Sequence, residues 1–568
     1  MVADPPVPAA APAAARGEAA GDGGRGAATG GLTAGPPPAL GPPLPGRTPA
    51  VRALSVGPDK VAGMARIAVI GAGMGAMAAA ARLAVAGHRV AVFERGATHG
   101  GALKRWERDG FAFDTGPGLL HLPAVYRDLF LKTGREALER CVELSQVDPA
   151  SRHVFADGTA VSLPNASRAG VLAALDEALG AGRGERWSDV MSRAREAWDA
   201  TRRPLLEEPL WPDWRVLGRD PYPAVRRRGL FGRGKGPTTA TLAEVARREL
   251  ADPRLTALLE SHALAYGFDP RSAPASAAVL PYMEQTFGSW YPRGGMRALA
   301  DALYERCLAR KVEFGFGAEV TGIVGKDGRA AGVELADGRV CEAEFVVAGI
   351  DPVRLVELCG DREPWGADDV RPAPVPGDRA TGRLTVCLAL RGARPADAAH
   401  RTVVHAPDRA AELAGVFGDG SGQRTPCERP TVTVLRPDDP SSRPDEAHEA
   451  VTLTATVAPP GPVDWLDGEV VAAAAERMTE SAEAAVPGLR ERVLWREVLP
   501  PTPETLVPGP ALAGREGRFL RPGNRTRIPG LYAVGGWSHP GGGPAHAGMS
   551  GAIVAGLIVN GDDWQGST

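Results

Sequence analysis

Two glycine-rich turns in this chain have the spacing to hold an anion. The first, Gly71-Ala72-Gly73-Met74-Gly75, is followed by Ala76 and, 23 residues after Gly71, by Glu94. The second, Ser538-His539-Pro540-Gly541-Gly542-Gly543, runs into an apolar stretch, Ala552 to Ile558. Glycine lets a backbone approach a flat or anionic group closely, and a helix starting just behind it aims unpaired N–H groups at the same point. At the first turn Gly71 makes the bend, Gly73 lets the backbone reach a pyrophosphate, and Ala76 takes the small third position against a sheet. A carboxylate at Glu94 accepts bonds from a ribose diol and repels a 2′-phosphate, which counts against NADP.

Those residues need a strand, a helix and a second strand around them. Ile67-Ala68-Val69-Ile70 is a short apolar run, Ala76 to Ala86 is rich in alanine and closed by Gly87, and Arg89 to Phe93 is a second strand ending at Glu94. The unit reads as a βαβ dinucleotide fold, with NAD or FAD as its ligand. A plain NAD domain would continue in alternating strands and helices. Here Gly100-Gly101 and Asp109 to Pro117 follow instead. Far downstream, Tyr291-Pro292-Arg293-Gly294-Gly295-Met296 opens a helical stretch to Ala309, ahead of Val312 to Val320, a hairpin around Gly325 to Arg329 and a strand from Phe345 to Ala348. Gly530 to Gly536 forms the last strand and leads into the second glycine turn.

At 568 residues and 44% hydrophobic content the chain can bury a core large enough for two domains or one interleaved unit. Residues 1–63 hold 12 prolines and 12 glycines with almost no aromatic residue, a composition that predicts disorder. They lack the basic start and apolar block of a secretory signal, and the functional protein is expected to begin near Met64. A net charge of −3 argues against bulk attraction to nucleic acid, which is not expected as a partner. The six cysteines are scattered, with no CxxC pair and no metal-ligand spacing, so no metal is expected and the chain reads as a reduced, cytoplasmic protein. No apolar run reaches the roughly 18 to 20 residues that cross a bilayer.

Taken together, GAGMG, DGFAFDTGP, YPRGGM, the run Arg429 to Val434 with Asp438-Asp439-Pro440, and GLYAVGGWSHPGGG resemble the phytoene desaturase (carotenoid desaturase) family, within the amine-oxidase-like FAD enzymes, from about Arg66 to Asn560. The resemblance implies an α/β fold: a Rossmann-like FAD-binding domain in three stretches (64–140, 290–360 and 510–562) with an interleaved α+β substrate domain from 141–289 and 361–509. It implies FAD, with Gly71, Gly73, Gly75, Ala76 and Glu94 around its adenosine and pyrophosphate half, Gly100 and Gly101 as a second contact, and Val320 meeting the adenine side. Gly535, Gly536 and the turn Gly541, Gly542, Gly543 would face the flavin ring, where a positive helix end favours the reduced anion. Relatives usually carry a basic residue where this chain has Ala102, with Lys104 or Arg105 available to substitute, and many carry an acid where it has Gly536.

Desaturation of an apolar isoprenoid removes a hydride and a proton from adjacent carbons, so the resemblance implies a proton acceptor as well as a flavin. Asp114 and His539 are the candidates. No lysine follows Lys326, which weighs against an amine oxidase. An oxidase, desaturase or saturase for another apolar substrate, and a noncatalytic flavin-binding protein, are the alternatives. Residues 201–236 hold nine Arg and Lys against four acids, with aromatic and aliphatic residues between them. Residues 205–235 are accordingly expected to rest on the inner face of a membrane without spanning it.

Overall fold

The computed structural model describes residues 64–210, 213–223, 240–370, 381–420, 424–506 and 508–566. The N-terminal segment expected to be disordered, and residues 211–212 and 224–235 of the basic stretch expected at a membrane, lie outside the described residues. No helix among the described residues is long and apolar enough to cross a membrane.

A five-stranded parallel sheet runs in the order Glu313–Phe316, Arg89–Glu94, Arg66–Ile70, Phe345–Ala348, Leu531–Ala533. Its central strands are near-continuous apolar runs because helices cover both faces. The helix Met74–Val85 is buried from Met74 through Ala81, and its alanine-rich composition suits a helix apolar on every side. It shares one core with the helices Met296–Ala309 and Pro544–Asn560. Met74–Val85 and Pro544–Asn560 pack closely: a Cβ on Gly75 would come within 2.8 Å of the Ala547 carbonyl oxygen, and one on Gly551 within 2.6 Å of the Gly75 carbonyl oxygen.

A three-stranded antiparallel meander (Val320–Lys326, Arg329–Leu335, Val340–Glu342) sits between two strands of that sheet in sequence. Its first hairpin turns on Asp327 and Gly328, both at positive φ, the two-residue geometry that suits strand twist.

The second large sheet has seven strands in the order Val493–Leu499, Gly382–Arg391, His448–Val457, Val432–Leu435, Arg401–Val404, Ser151–Val154, Ala160–Leu163. All its pairings are antiparallel except Arg401–Val404 with Ser151–Val154. Leu384, Val386, Leu388 and Leu390 alternate onto one face and pack with Met478 and Trp465. Phe111 and Phe113, from the hairpin Arg105–Arg108/Phe111–Asp114, pack on Cys387 and Ala389 of the opposite face. A helical layer, which includes Arg183–Arg202, Pro253–Ala265 and Val279–Phe287, builds a third core.

Candidate functional site

The first glycine turn is held by its own carboxylate. Glu94 accepts from the Ala72 amide (2.8 Å) through one oxygen and from the Gly96 amide (2.7 Å) through the other. It fixes the turn while its remaining lone pairs stay available to a ligand. Gly71 sits at φ +86° with its Cα side facing the Gly349 carbonyl, and Ala76 lies against Gly349 at the end of the Phe345–Ala348 strand. Gly73 caps the helix Met74–Val85 with no side-chain cap, and the first turn holds no acid, which leaves the helix N-terminus bare. A Cβ built on Gly73 meets nothing within 4 Å, and the same holds at Gly535. Open room over two glycines, beside an uncapped helix end, is a cradle of the kind a pyrophosphate fills.

Other predicted contacts surround this cradle. Gly100 donates to the Ala72 carbonyl (2.9 Å), and a Cβ on Gly101 would lie 2.9 Å from the Gly73 Cα. Gly317 donates to Gly96 and Ala318 to Glu94, which brings the approach to Val320 alongside Glu94.

Three glycines have close protein neighbours. At Gly75 the missing side chain leaves room for Gly535 and the Ala547 carbonyl oxygen. Gly541 and Gly542 pack on Pro508–Ala511, with their amides donating to Ser538 and Gly509. At Gly543 a Cβ would lie 3.7 Å from His546 Nδ1 and 3.9 Å from Tyr266 Cε1. Gly536 faces Pro508 and Gly542.

The proton-acceptor candidates stand in unlike places. Asp114 lines a cavity with Phe113, Tyr291, His400 and Thr452. Its Oδ2 accepts from the Met296 amide (2.8 Å), so it caps the helix Met296–Ala309 from a distant part of the chain. Burial pushes its carboxyl up to about 6, although amide hydrogen bonds and the Arg105 charge pull the other way. His539 is fully enclosed, with Nε2 donating to the Glu208 carbonyl (3.0 Å). Burial holds it down at about 4, hence neutral. It is absent from the wall of the Asp114 cavity, and the two residues share no hydrogen bond.

Sequence reasoning passed over the neighbours of Asp114. Asp439 accepts from the Tyr291 hydroxyl (3.0 Å) and from the Gly294 amide (2.6 Å). Burial raises its pKa, but these bonds and those from Ser441 outweigh it and the net shift is downward. His400 stacks at an angle on Tyr291, with centroids 4.7 Å apart, and burial lowers it to about 3. The signal was present, since DGFAFDTGP, YPRGGM and Asp438-Asp439-Pro440 meet here. Ala102 and Lys104 are exposed, while Arg105 donates to the carbonyls of Gly294 and Ser441, both at 2.9 Å.

The family model for flavin containing amine oxidoreductases matches residues 77–372. The chain is 28% identical to a 4,4'-diapolycopene oxygenase from Methylomonas sp over 87% of this chain and 98% of that protein. It is 29% identical to a hydroxyneurosporene desaturase from Cereibacter sphaeroides, over 87% of this chain and 97% of that one. Among solved structures, an oxidoreductase from Methanosarcina mazei aligns with a TM-score of 0.58 at 19% identity, covering 86% of this chain and 99% of that one.

Proposed function

Because this chain belongs to the family of flavin containing amine oxidoreductases, and is an FAD-dependent oxidoreductase, we propose that it desaturates a long apolar isoprenoid of the carotenoid kind. The observation that carries the reading is the bare helix end at Gly73 with open room above it, set in a chain similar along most of its length to carotenoid-modifying enzymes. Gly71, Gly73, Glu94, Gly100 and Gly101 would hold the adenosine and pyrophosphate half of FAD, with the backbone at Val320 on the adenine side. Gly535 and Gly543 would border its ring.

When bound, the flavin supplies the acceptor for a hydride leaving a saturated carbon. The protein must then take a proton from the neighbouring carbon. Asp114 is the group for this: it lines a cavity, and a carboxyl titrating near 6 is ionised at neutral pH yet basic enough to accept. Tyr291 and Asp439 fix the Gly294–Met296 turn against which Asp114 is oriented. His539 is a positioning residue that ties the second glycine turn to Glu208.

The test is incubation of the FAD-loaded protein with phytoene in liposomes. Products carrying additional conjugated double bonds are expected. An oxygenated product without new double bonds would instead favour the chemistry named for the Methylomonas relative, and a bound flavin that no such substrate bleaches would favour a noncatalytic role. Contact of residues 205–235 with a membrane is part of the proposal, and co-sedimentation with anionic vesicles measures it.

A further inference from the structure

The proposed cofactor cradle is made of two turns, and the second cannot hold its own shape. Residues 96–102 read Gly-Ala-Thr-His-Gly-Gly-Ala, a run that costs much conformational entropy to order. Gly100 nevertheless bridges Gly73, with its amide donating to the Ala72 carbonyl (2.9 Å). A basic residue at position 102, usual in relatives, would serve this turn from within. Here Ala102 and Lys104 are exposed, and Arg105 donates to the carbonyls of Gly294 and Ser441 instead.

Arg297 reaches the turn from the second position of the helix Met296–Ala309. Its Nη1 donates to the His99 carbonyl (2.9 Å), its Nη2 to Thr98 Oγ1 (2.9 Å) and its Nε to Asp301 Oδ1 (2.7 Å). The buried His99 ring is wedged between the same partners, with Nε2 lying 2.9 Å from Asp301 Oδ1 and 3.1 Å from Arg297 Nη2. That ring also stacks on Tyr304, centroids 4.1 Å apart. Burial, together with the Arg297 charge, lowers the His99 pKa, so the imidazole stays neutral. A Cβ on Gly100 would lie 3.5 Å from Arg297 Nη1, which puts the guanidinium directly beside the glycine pair. Hydrogen bonds from a charged donor are roughly twice as strong as neutral ones, and a planar fork fixes direction as well as distance.

We infer that Arg297 is the positioning residue that orders the turn 98–101 for FAD, from a distant stretch of the chain and in place of a basic residue at 102. This rests on the flavin reading above and goes beyond it. A turn already ordered in the ligand-free protein spares FAD that cost on binding. The test reads the FAD Kd of the full-length protein by flavin fluorescence, and the rate at which trypsin cuts the ligand-free protein after the exposed Arg95 and Lys104. Arg297→Met should raise the Kd about 10-fold or more and speed both cuts relative to cuts elsewhere, with saturating FAD restoring protection. Arg297→Lys, which keeps the charge and one donor direction, should recover part of the affinity. Thr98→Val removes a single acceptor on an exposed side chain and should raise the Kd about 3-fold. The losses should persist at high ionic strength, because they come from loop order rather than from attraction at a distance. A Kd for Arg297→Met equal to the parent's, unchanged cutting after Arg95 and Lys104, no weakening in Thr98→Val, or a loss that vanishes in salt would each overturn the inference. A parent that takes up no FAD would overturn it together with the flavin reading, whereas Arg297-dependent FAD binding without desaturation would leave it standing and sink the isoprenoid reading alone.

Discussion

Asp114 combines two tasks that pull its carboxyl in opposite directions. Burial raises its pKa, while the amides at the start of Met296–Ala309 favour its charge, and burial wins at about 6. If it accepts the proton, kcat/KM rises through an acid limb centred near 6, and Asp114→Asn lowers turnover by roughly 100-fold or more and removes that limb. The stability consequence has the opposite sign. Its native pKa stands above the ordinary 3.8, so the protonated form favours folding. That contribution is complete below about 4 and is lost as pH climbs through 6; a pH series of thermal midpoints on Asp114→Asn and the parent measures it. Asp114 was legible because it closes a recognisable turn. Its partner was not, because Met296 lies 182 residues away and no local pattern couples the two.

At the scale of elements, the contact between Met74–Val85 and Pro544–Asn560 depends on glycines set face to face. A methyl group on Gly75 has only 2.7 Å to the Gly535 Cα and 2.8 Å to the Ala547 carbonyl oxygen, both backbone atoms that cannot swing aside. Gly75→Ala should therefore destabilise the protein by about 1–3 kcal/mol, read as a lower denaturant midpoint with an unchanged slope. The helix itself was plain in the sequence, since the alanine run between a glycine turn and Gly87 has one reading. The role of its third glycine was not. GAGMG ascribes Gly75 to a ligand, and only the approach of a helix some 470 positions later reveals a packing demand. Gly541 and Gly542 repeat the lesson: the turn was recognised, but its neighbours at Pro508–Ala511 carry no signature that would have placed them there.

At the scale of the molecule, the proposed cofactor cradle is built from stretches that are separate in the chain and adjacent in one sheet. FAD bound there should stabilise the whole described body at once. At a concentration 100 times its Kd the expected gain is about 2.7 kcal/mol, seen as one cooperative transition moving upward. Gly73→Ala supplies the control: its methyl meets no atom within 4 Å, so the ligand-free midpoint should stay in place while the FAD-induced rise disappears. Strand-like runs were readable in the sequence at Ile67–Ile70, Arg89–Phe93, Phe345–Ala348 and Gly530–Gly536, but not the order in which they pair. The seven-stranded sheet was hidden, since its strands come from distant segments whose pairing no local pattern announces. The meeting of Gly75 with Gly535 and Gly551 also sets a timetable for biosynthesis. A ribosome adding 5–20 residues per second needs roughly half a minute to a minute and a half to travel from the first to the last of these glycines. Throughout that interval the first glycine turn lacks its closing helix, so the packing around it is completed only after synthesis has passed Gly551.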